Sequence, residues 1–236
     1  MYDRYGLPDV LRLEETAVPS PGTNQVLVEV AGVSVNLSDW EVLRGWPFYS
    51  RIGGVRAPAR RVLGSDIAGR IAAVGAGVTR FRVGEEVYGD NLNLKGGFAE
   101  YAVVPDAMLA HKPVGSTFAE ASTLPQAGAI AIQGTAHARR GQRVLAPGGR
   151  YLCVGGAVST LLAVATVGAV VGRLTGRRLR VLAVRQGPAR FEPAAELCVA
   201  GDLRIRIDRT STLDEVPHAL AYVGEGRALG KVVVTP

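Results

Sequence analysis

The chain has 236 residues, 47% of them apolar, and a net charge of +6 at pH 7. That length buries enough apolar surface to fold as one large domain or two small ones, without disulfides or a structural metal. The basic excess sits in short arginine groups (Arg56, Arg60, Arg61; Arg173, Arg177, Arg178, Arg180) among Gly, Ala and Val, and no nucleic-acid-binding motif accompanies them, so nucleic acid is not an expected partner.

The first third of the chain alternates as strands do. Residues 26–30 are β-rich and lie between Pro21-Gly22 and Ala31-Gly32, and 70–74 runs into the turn Gly75-Ala76-Gly77. Further runs at 84–88 and 98–104 follow at short intervals. Short strands so spaced predict a compact β-barrel of roughly 110 residues.

From Thr117 the period changes. Thr117 with Glu120 three residues later is a capping-box start for a helix to about Ser122. Residues 127–137 read as an apolar helix stopped by Arg139-Arg140-Gly141. A strand opening at 142–145 meets Pro147-Gly148-Gly149 almost at once. Next come a strand at 150–154, an apolar helix to about Leu174, a strand at 179–184 and a helix at 191–199. A short strand at 204–207, a helix at 213–223 and a last strand at 231–235 complete the pattern. Strand–helix alternation of this kind predicts a parallel α/β layer. The apolar stretch 157–172 is too short and too interrupted for a membrane span, and with no leader read before the first strand the expected location is the cytoplasm. Cys153 and Cys198 stand apart in apolar surroundings, outside any metal-ligand spacing, and read as small buried hydrophobes.

The order of motifs carries a resemblance. Pro19-Ser20-Pro21-Gly22, the 25–30 strand and Val33-Ser34-Val35-Asn36 come first. Leu63-Gly64-Ser65-Asp66, Val74-Gly75-Ala76-Gly77, Phe81-Arg82-Val83-Gly84 and Gly96-Gly97-Phe98-Ala99-Glu100-Tyr101 follow, and Gly226-Arg227-Ala228-Leu229-Gly230-Lys231 closes the series. In this order they resemble the zinc-free, quinone-oxidoreductase-like branch of the medium-chain dehydrogenase/reductase family. The resemblance implies a chaperonin-10-like (GroES-like) β-barrel over 1–115, rejoined by 210–236, and a truncated remnant of a doubly wound α/β domain over 116–209. The fold class is therefore α/β plus β.

Two departures follow from the same comparison. The family's catalytic zinc positions match Asn36, Ser65 and Ala127, which cannot replace thiolate and imidazole, so no metal is expected. Relatives follow Gly-Gln-Arg-Val-Leu with a glycine-rich turn that cradles a dinucleotide pyrophosphate. Here Val144-Leu145 runs into Ala146-Pro147, placing a deletion junction near 144–147. The remaining pair Gly155-Gly156 follows a strand and precedes a helix, a weak remnant of such a turn.

The resemblance implies a cleft lined by Asn36, Asp39, Trp46, Tyr49, Asp66, Asn91, Asn93 and Lys95. Asp66, Asp39 and Asn36 are the catalytic candidates, because converging carboxyls with separated pKa values divide acid and base roles. Each carboxyl has a second reading: Asp39 as a helix cap, Asp66 as the partner of a nearby arginine. Trp46 and Tyr49 either stack on a planar ligand or simply pack. Asn91, Asn93 and Lys95 either shape the pocket mouth or form a solvated loop.

The expected function is a cofactor-independent, non-redox enzyme (a cyclase, isomerase or lyase) acting on a small molecule in a biosynthetic pathway, with no bound nucleotide. An NADPH-dependent quinone or enone reductase with an unusual or shared nucleotide site is the alternative; a non-catalytic ligand-binding or assembly protein is another. A homodimer through strand 179–184 is expected, since related proteins join sheets there and open edges invite pairing.

Overall fold

A computed structural model describes residues 1–51, 54–138, 150–155, 158–176 and 178–236. In chain order the elements begin with β1 (Gln25–Val35), α1 (Leu37–Arg44), β2 (Asp66–Val74), β3 (Glu86–Asp90), β4 (Tyr101–Pro105) and β5 (Leu109–His111). Then come α2 (Phe118–Ser122), α3 (Pro125–Ala138), β6 (Arg150–Cys153), α4 (Val158–Thr175) and β7 (Arg178–Val181). The last are α5 (Pro188–Val199), β8 (Ile207–Ser211), α6 (Val216–Gly224) and β9 (Lys231–Val234). Two compact units result, Met1–Gly128 with Gln186–Pro236, and Ala129–Arg185.

The first unit is a seven-stranded sheet in the order β5-β3-β2-β1-β9-β8, with β4 also paired to β1. β1 is the hub, with antiparallel partners in β2, β4 and β9. The sequence predicts a strand ending before Ala31-Gly32, yet β1 runs through both residues to Val35. Register shifts at Leu27/Val28 and Val30/Gly32 bend it, so that its first half serves β4 and its last three residues serve β9. Gly32 permits the bend because its backbone passes close to α2: a Cβ there would stand 3.3 Å from the Phe118 carbonyl. Val26, Val28, Val33, Ile67 and Val87 are fully buried in the core that β1 organises.

Helices fasten the sheet. Thr117 and Glu120 form the predicted capping box, with Thr117 N donating to Glu120 Oε2 at 2.8 Å and Glu120 N to Thr117 Oγ1 at 3.1 Å. α6 lies on α1 at Gly224, where a Cβ would come within 2.1 Å of the Trp40 indole. α5 is anchored by Phe191, fully buried and edge-on to Tyr88 at 5.0 Å between ring centres.

Two strands differ from expectation. Residues 98–100 bend rather than extend as a strand, because Gly97 N and Phe98 N donate to the carbonyls of Gly64 and Leu63, and only Glu100 O reaches β1, accepting from Val30 N at 2.8 Å. The strand expected at 204–207 lies instead at Ile207–Ser211, where β9 offers a parallel partner from Lys231 onward. Pairing in space outweighs the local alternation there.

The second unit holds a parallel pair, β6 with β7, joined by α4. Gly168 of α4 sits against Leu179, with room for a Cβ only 2.9 Å away. Leu162, Val167, Val170 and Leu174 of α4 are exposed. The expected strand at 142–145, the junction near 144–147 and Gly156 lie outside the described residues. Among the described residues no helix is long and apolar enough to cross a membrane.

Replacing Phe191 by Ala should cost about 3–5 kcal/mol by opening a cavity under α5. Urea unfolding of wild type and variant measures it, and a loss below about 1 kcal/mol would show that α5 is not anchored there.

Candidate functional site

The end of β1 and the start of α1 place the first polar group. Asn36 caps α1, and Asp39, its third helical residue, accepts from Asn36 N at 3.1 Å. Asp39 is fully buried and meets Lys95 Nζ at 3.0 Å; Lys95 is buried too. Lys95 adopts φ +60, a region unfavourable for a side chain with a Cβ. Asn91 holds it there: Lys95 N donates to Asn91 O at 2.6 Å, while Asn91 Nδ2 donates to Lys95 O at 2.5 Å and to Val103 O at 3.0 Å. The 91–95 loop is thus stapled to β4, and its ammonium is carried inward.

Sheet register supplies the other half. Asp66, first residue of β2, stands opposite Ser34 of β1 and Asp90 of β3. Gln126 N, in the first turn of α3, donates to Asp66 Oδ2 at 3.0 Å, and Asp90 accepts from Leu92 N at 2.9 Å. The Gln126 side chain donates to Ser65 Oγ at 2.6 Å and accepts from Ser38 Oγ at 3.1 Å. Lys231, the first residue of β9, donates to Asn36 Oδ1 at 2.6 Å.

Charge in this space is unevenly matched. Three carboxyls (Asp39, Asp66, Asp90) face two ammoniums (Lys95, Lys231). Burial, then the neighbouring Asp90, holds the Asp66 carboxyl well above the usual range, against Lys231, the Gln126 amide and Asn36. Asp90 is pushed up to about 6, chiefly by burial, with Asp39 adding and Lys95 opposing. Burial lowers Lys231, while Asp66 and Asp39 draw its pKa back up. The cluster is neutral when one carboxyl keeps its proton, and fully buried Asp66 is best placed to keep it.

Among the described residues four buried polar atoms have no hydrogen-bond partner: Asn36 Nδ2, Asp66 Oδ1, Ser34 Oγ and Tyr2 Oη. The Asn36 amide is near enough to favour the charged Asp66, yet it completes no bond to Oδ1. Burial first, then Tyr5 and Asp39, raise the Tyr2 pKa, so its hydroxyl keeps its proton. Each unmet group costs about 1–3 kcal/mol.

Of the residues singled out from sequence, Asn36, Asp39, Asp66, Asn91 and Lys95 come together. Trp46 and Asn93 are exposed, and Tyr49 is half-buried with its hydroxyl 3.5 Å from Glu41 Oε2. The cation facing Asp66 is Lys231 rather than an arginine. Asp39 does serve a cap, in a helix that starts at Leu37. Asp90, Gln126, Lys231 and Tyr2 escaped the sequence reading. Lys231 stood in a recognised motif, but only strand pairing brings it to Asn36.

Two family models match in succession, "Alcohol dehydrogenase GroES-like domain" over residues 22–114 and "Zinc-binding dehydrogenase" over 118–234. The chain belongs to the medium-chain dehydrogenase/reductase family. It is 36% identical over 162 residues to a 2-methylene-furan-3-one reductase of Solanum lycopersicum, covering 63% of this chain and 39% of that protein. An NADPH-dependent alkenal/one oxidoreductase, chloroplastic, of Arabidopsis thaliana is 34% identical over 143 residues, 57% of this chain and 36% of its own length. The chain thus spans less than two fifths of the length of these curated relatives. The structure of the quinone oxidoreductase from Coxiella burnetii superposes with a TM-score of 0.80 at 20% identity, covering 100% of this chain and 98% of that one. Escherichia coli quinone oxidoreductase complexed with NADPH gives 0.74 at 14% identity, covering 100% and 98%. These last two establish the fold: a GroES-like domain with a partial Rossmann-like α/β domain.

The comparisons overturn two expectations. A non-redox cyclase, isomerase or lyase finds no counterpart among relatives named as reductases and oxidoreductases, and the absence of a nucleotide cofactor runs against the Arabidopsis thaliana relative named as NADPH-dependent. Losing one phosphate-binding turn changes how a nucleotide is held, and says nothing of the chemistry at its other end. For zinc, Asn36 and Ser65 offer an amide and a hydroxyl, which do not fit a catalytic site. Among the described residues no group of three His, Cys, Asp or Glu could hold a metal ion.

Stability should carry the mark of the raised Asp90. The folded state holds that proton more tightly than the unfolded chain, so the stabilisation is complete below the ordinary value of 3.8 and is lost as pH rises through about 6. The wild-type advantage over Asp90→Asn in urea unfolding should shrink by up to about 3 kcal/mol between pH 4 and 7. A difference that stays flat with pH would place the Asp90 proton elsewhere.

Proposed function

We propose that this chain acts in the NADPH-dependent reduction of an enone or quinone carbonyl compound, without zinc. Membership of a family whose matched relatives are named reductases and NADPH-dependent oxidoreductases is the observation that carries the reading. The buried cluster supports it, because it holds a carboxyl that keeps its proton beside an unpaired amide donor.

Bound NADPH supplies a hydride; the proton and the field that steadies the resulting oxyanion must come from the chain. Asn36 Nδ2, which lacks a partner, is the donor for the substrate oxygen. Asp66, kept neutral by burial, is the proton reserve, and Gln126 N fixes its other oxygen. Asp39 and Lys95 hold α1 and the 91–95 loop in register, while Trp46, Tyr49 and Asn93 form the outer wall against which a planar substrate rests.

The nucleotide fits this chain in part. β6, Gly155 at φ +65 and α4 make a strand–glycine–helix unit that lets a backbone approach a ligand. No Gly-x-Gly-x-x-Gly occurs in the sequence, so the pyrophosphate needs an unusual or shared site. We also propose that a second copy pairs along β7, covering the exposed Leu162, Val167, Val170 and Leu174 of α4. Sedimentation should give a dimer that Leu174→Glu with Val181→Lys converts to monomer; an unaltered dimer would move the interface elsewhere.

Titration of NADPH fluorescence, followed by turnover of a short enone and a benzoquinone, tests the activity. Saturable binding with NADPH consumption is expected, and Asp66→Asn should lower kcat by about 10²–10⁴ with nucleotide affinity unchanged. Binding without turnover would favour a ligand-binding role, and neither would sink the reductase reading.

A further inference from the structure

An asparagine amide has two unlike ends, one accepting and one donating, and a half-turn exchanges them. For Asn36 to donate toward a substrate oxygen, its Oδ1 must be held on the other side. Lys231 does this: its ammonium has three donors and no acceptor, and it stands 2.6 Å from Asn36 Oδ1. A flipped amide would set N–H groups against the ammonium and turn the carbonyl oxygen toward the Asp66 carboxyl.

The arrangement is fixed by strand register. β9 pairs with β1 at Val33–Val234, Ser34–Val233 and Val35–Val232, so the next antiparallel partners are Asn36 and Lys231. Lys231 is anchored in turn by its own backbone, which donates to Arg206 O at 2.8 Å and pairs with Ile207 of β8. Asn36 is anchored as the cap of α1. Neither end of the contact is free to drift.

We propose that Lys231 is a positioning residue: it sets the orientation of the Asn36 amide, and so presents Nδ2 to the substrate oxygen on which negative charge develops. The inference rests on the reductase reading above and adds a residue to it. Lys231 acts through Asn36 and does not itself touch the substrate.

A double-mutant cycle tests this. Lys231→Met should lower kcat for enone reduction at least tenfold, with the NADPH dissociation constant changed less than twofold, and Lys231→Arg should restore most of the loss. Asn36→Ala should lower kcat similarly, and adding Lys231→Met to it should cost no more, since the second residue works only through the first. Multiplied effects, or an unchanged kcat in Lys231→Met, overturn the proposal. Lys231→Gln, which keeps a donor without charge, takes its place in the cycle should Lys231→Met not fold.

A second readout is independent of turnover. The Asn36 side-chain NH₂ resonances, assigned by their loss in Asn36→Ala, should shift and exchange faster with water in Lys231→Met, and stay put in Lys231→Arg. Resonances that do not respond overturn the positioning. Wild-type protein that consumes no NADPH overturns the reductase reading instead, and the resonance test still decides whether Lys231 orients the amide.

Discussion

Charges removed from water must balance among themselves, and the polar cluster of the first unit is built around that constraint. Asp39, Asp66 and Asp90 arrive from a helix cap and two strand ends, and the two lysines come from a strained loop and a distant strand. An uncompensated buried carboxylate is among the costliest groups a fold carries, so each side chain is held by backbone as well as by its partner. Asn91 gives one donor to the loop that carries Lys95 and one to β4, and Gln126 is committed through both its backbone and its side chain. What the cluster leaves over is one proton, held by Asp66, and one unpaired amide, that of Asn36.

The sheet explains why these residues meet. β1 bends at two register shifts and so has one neighbour along its first half and another along its last three residues. Without that bend β9 would have no place, and Asn36 would have no cation opposite it. The same bend rests on Gly32, which lets α2 lie close.

Legibility followed the range of the interaction. The capping box at Thr117 and Glu120, the strands around 26–30 and 70–74 and the helices are local patterns, and the sequence shows them directly. Asn36, Asp39 and Asp66 were legible through the resemblance, since motif order locates the cleft. Asp90 was not, because its partnership with Asp66 depends on a strand register that no short pattern encodes. Nor was the inward turn of Lys95, which requires a lysine in a backbone region that favours glycine. The reaction class was misread because a missing phosphate turn was taken as a missing cofactor.

The contact between Lys231 and Asn36 joins residues 195 apart in sequence. Loop-closure entropy makes so distant a contact late in folding. Before β9 docks, the carboxyl-rich half of the cluster exists without one of its two cations, and the first unit is held back from its full stability. Pairing of β9 with β1 and delivery of the Lys231 ammonium to Asn36 are therefore one event.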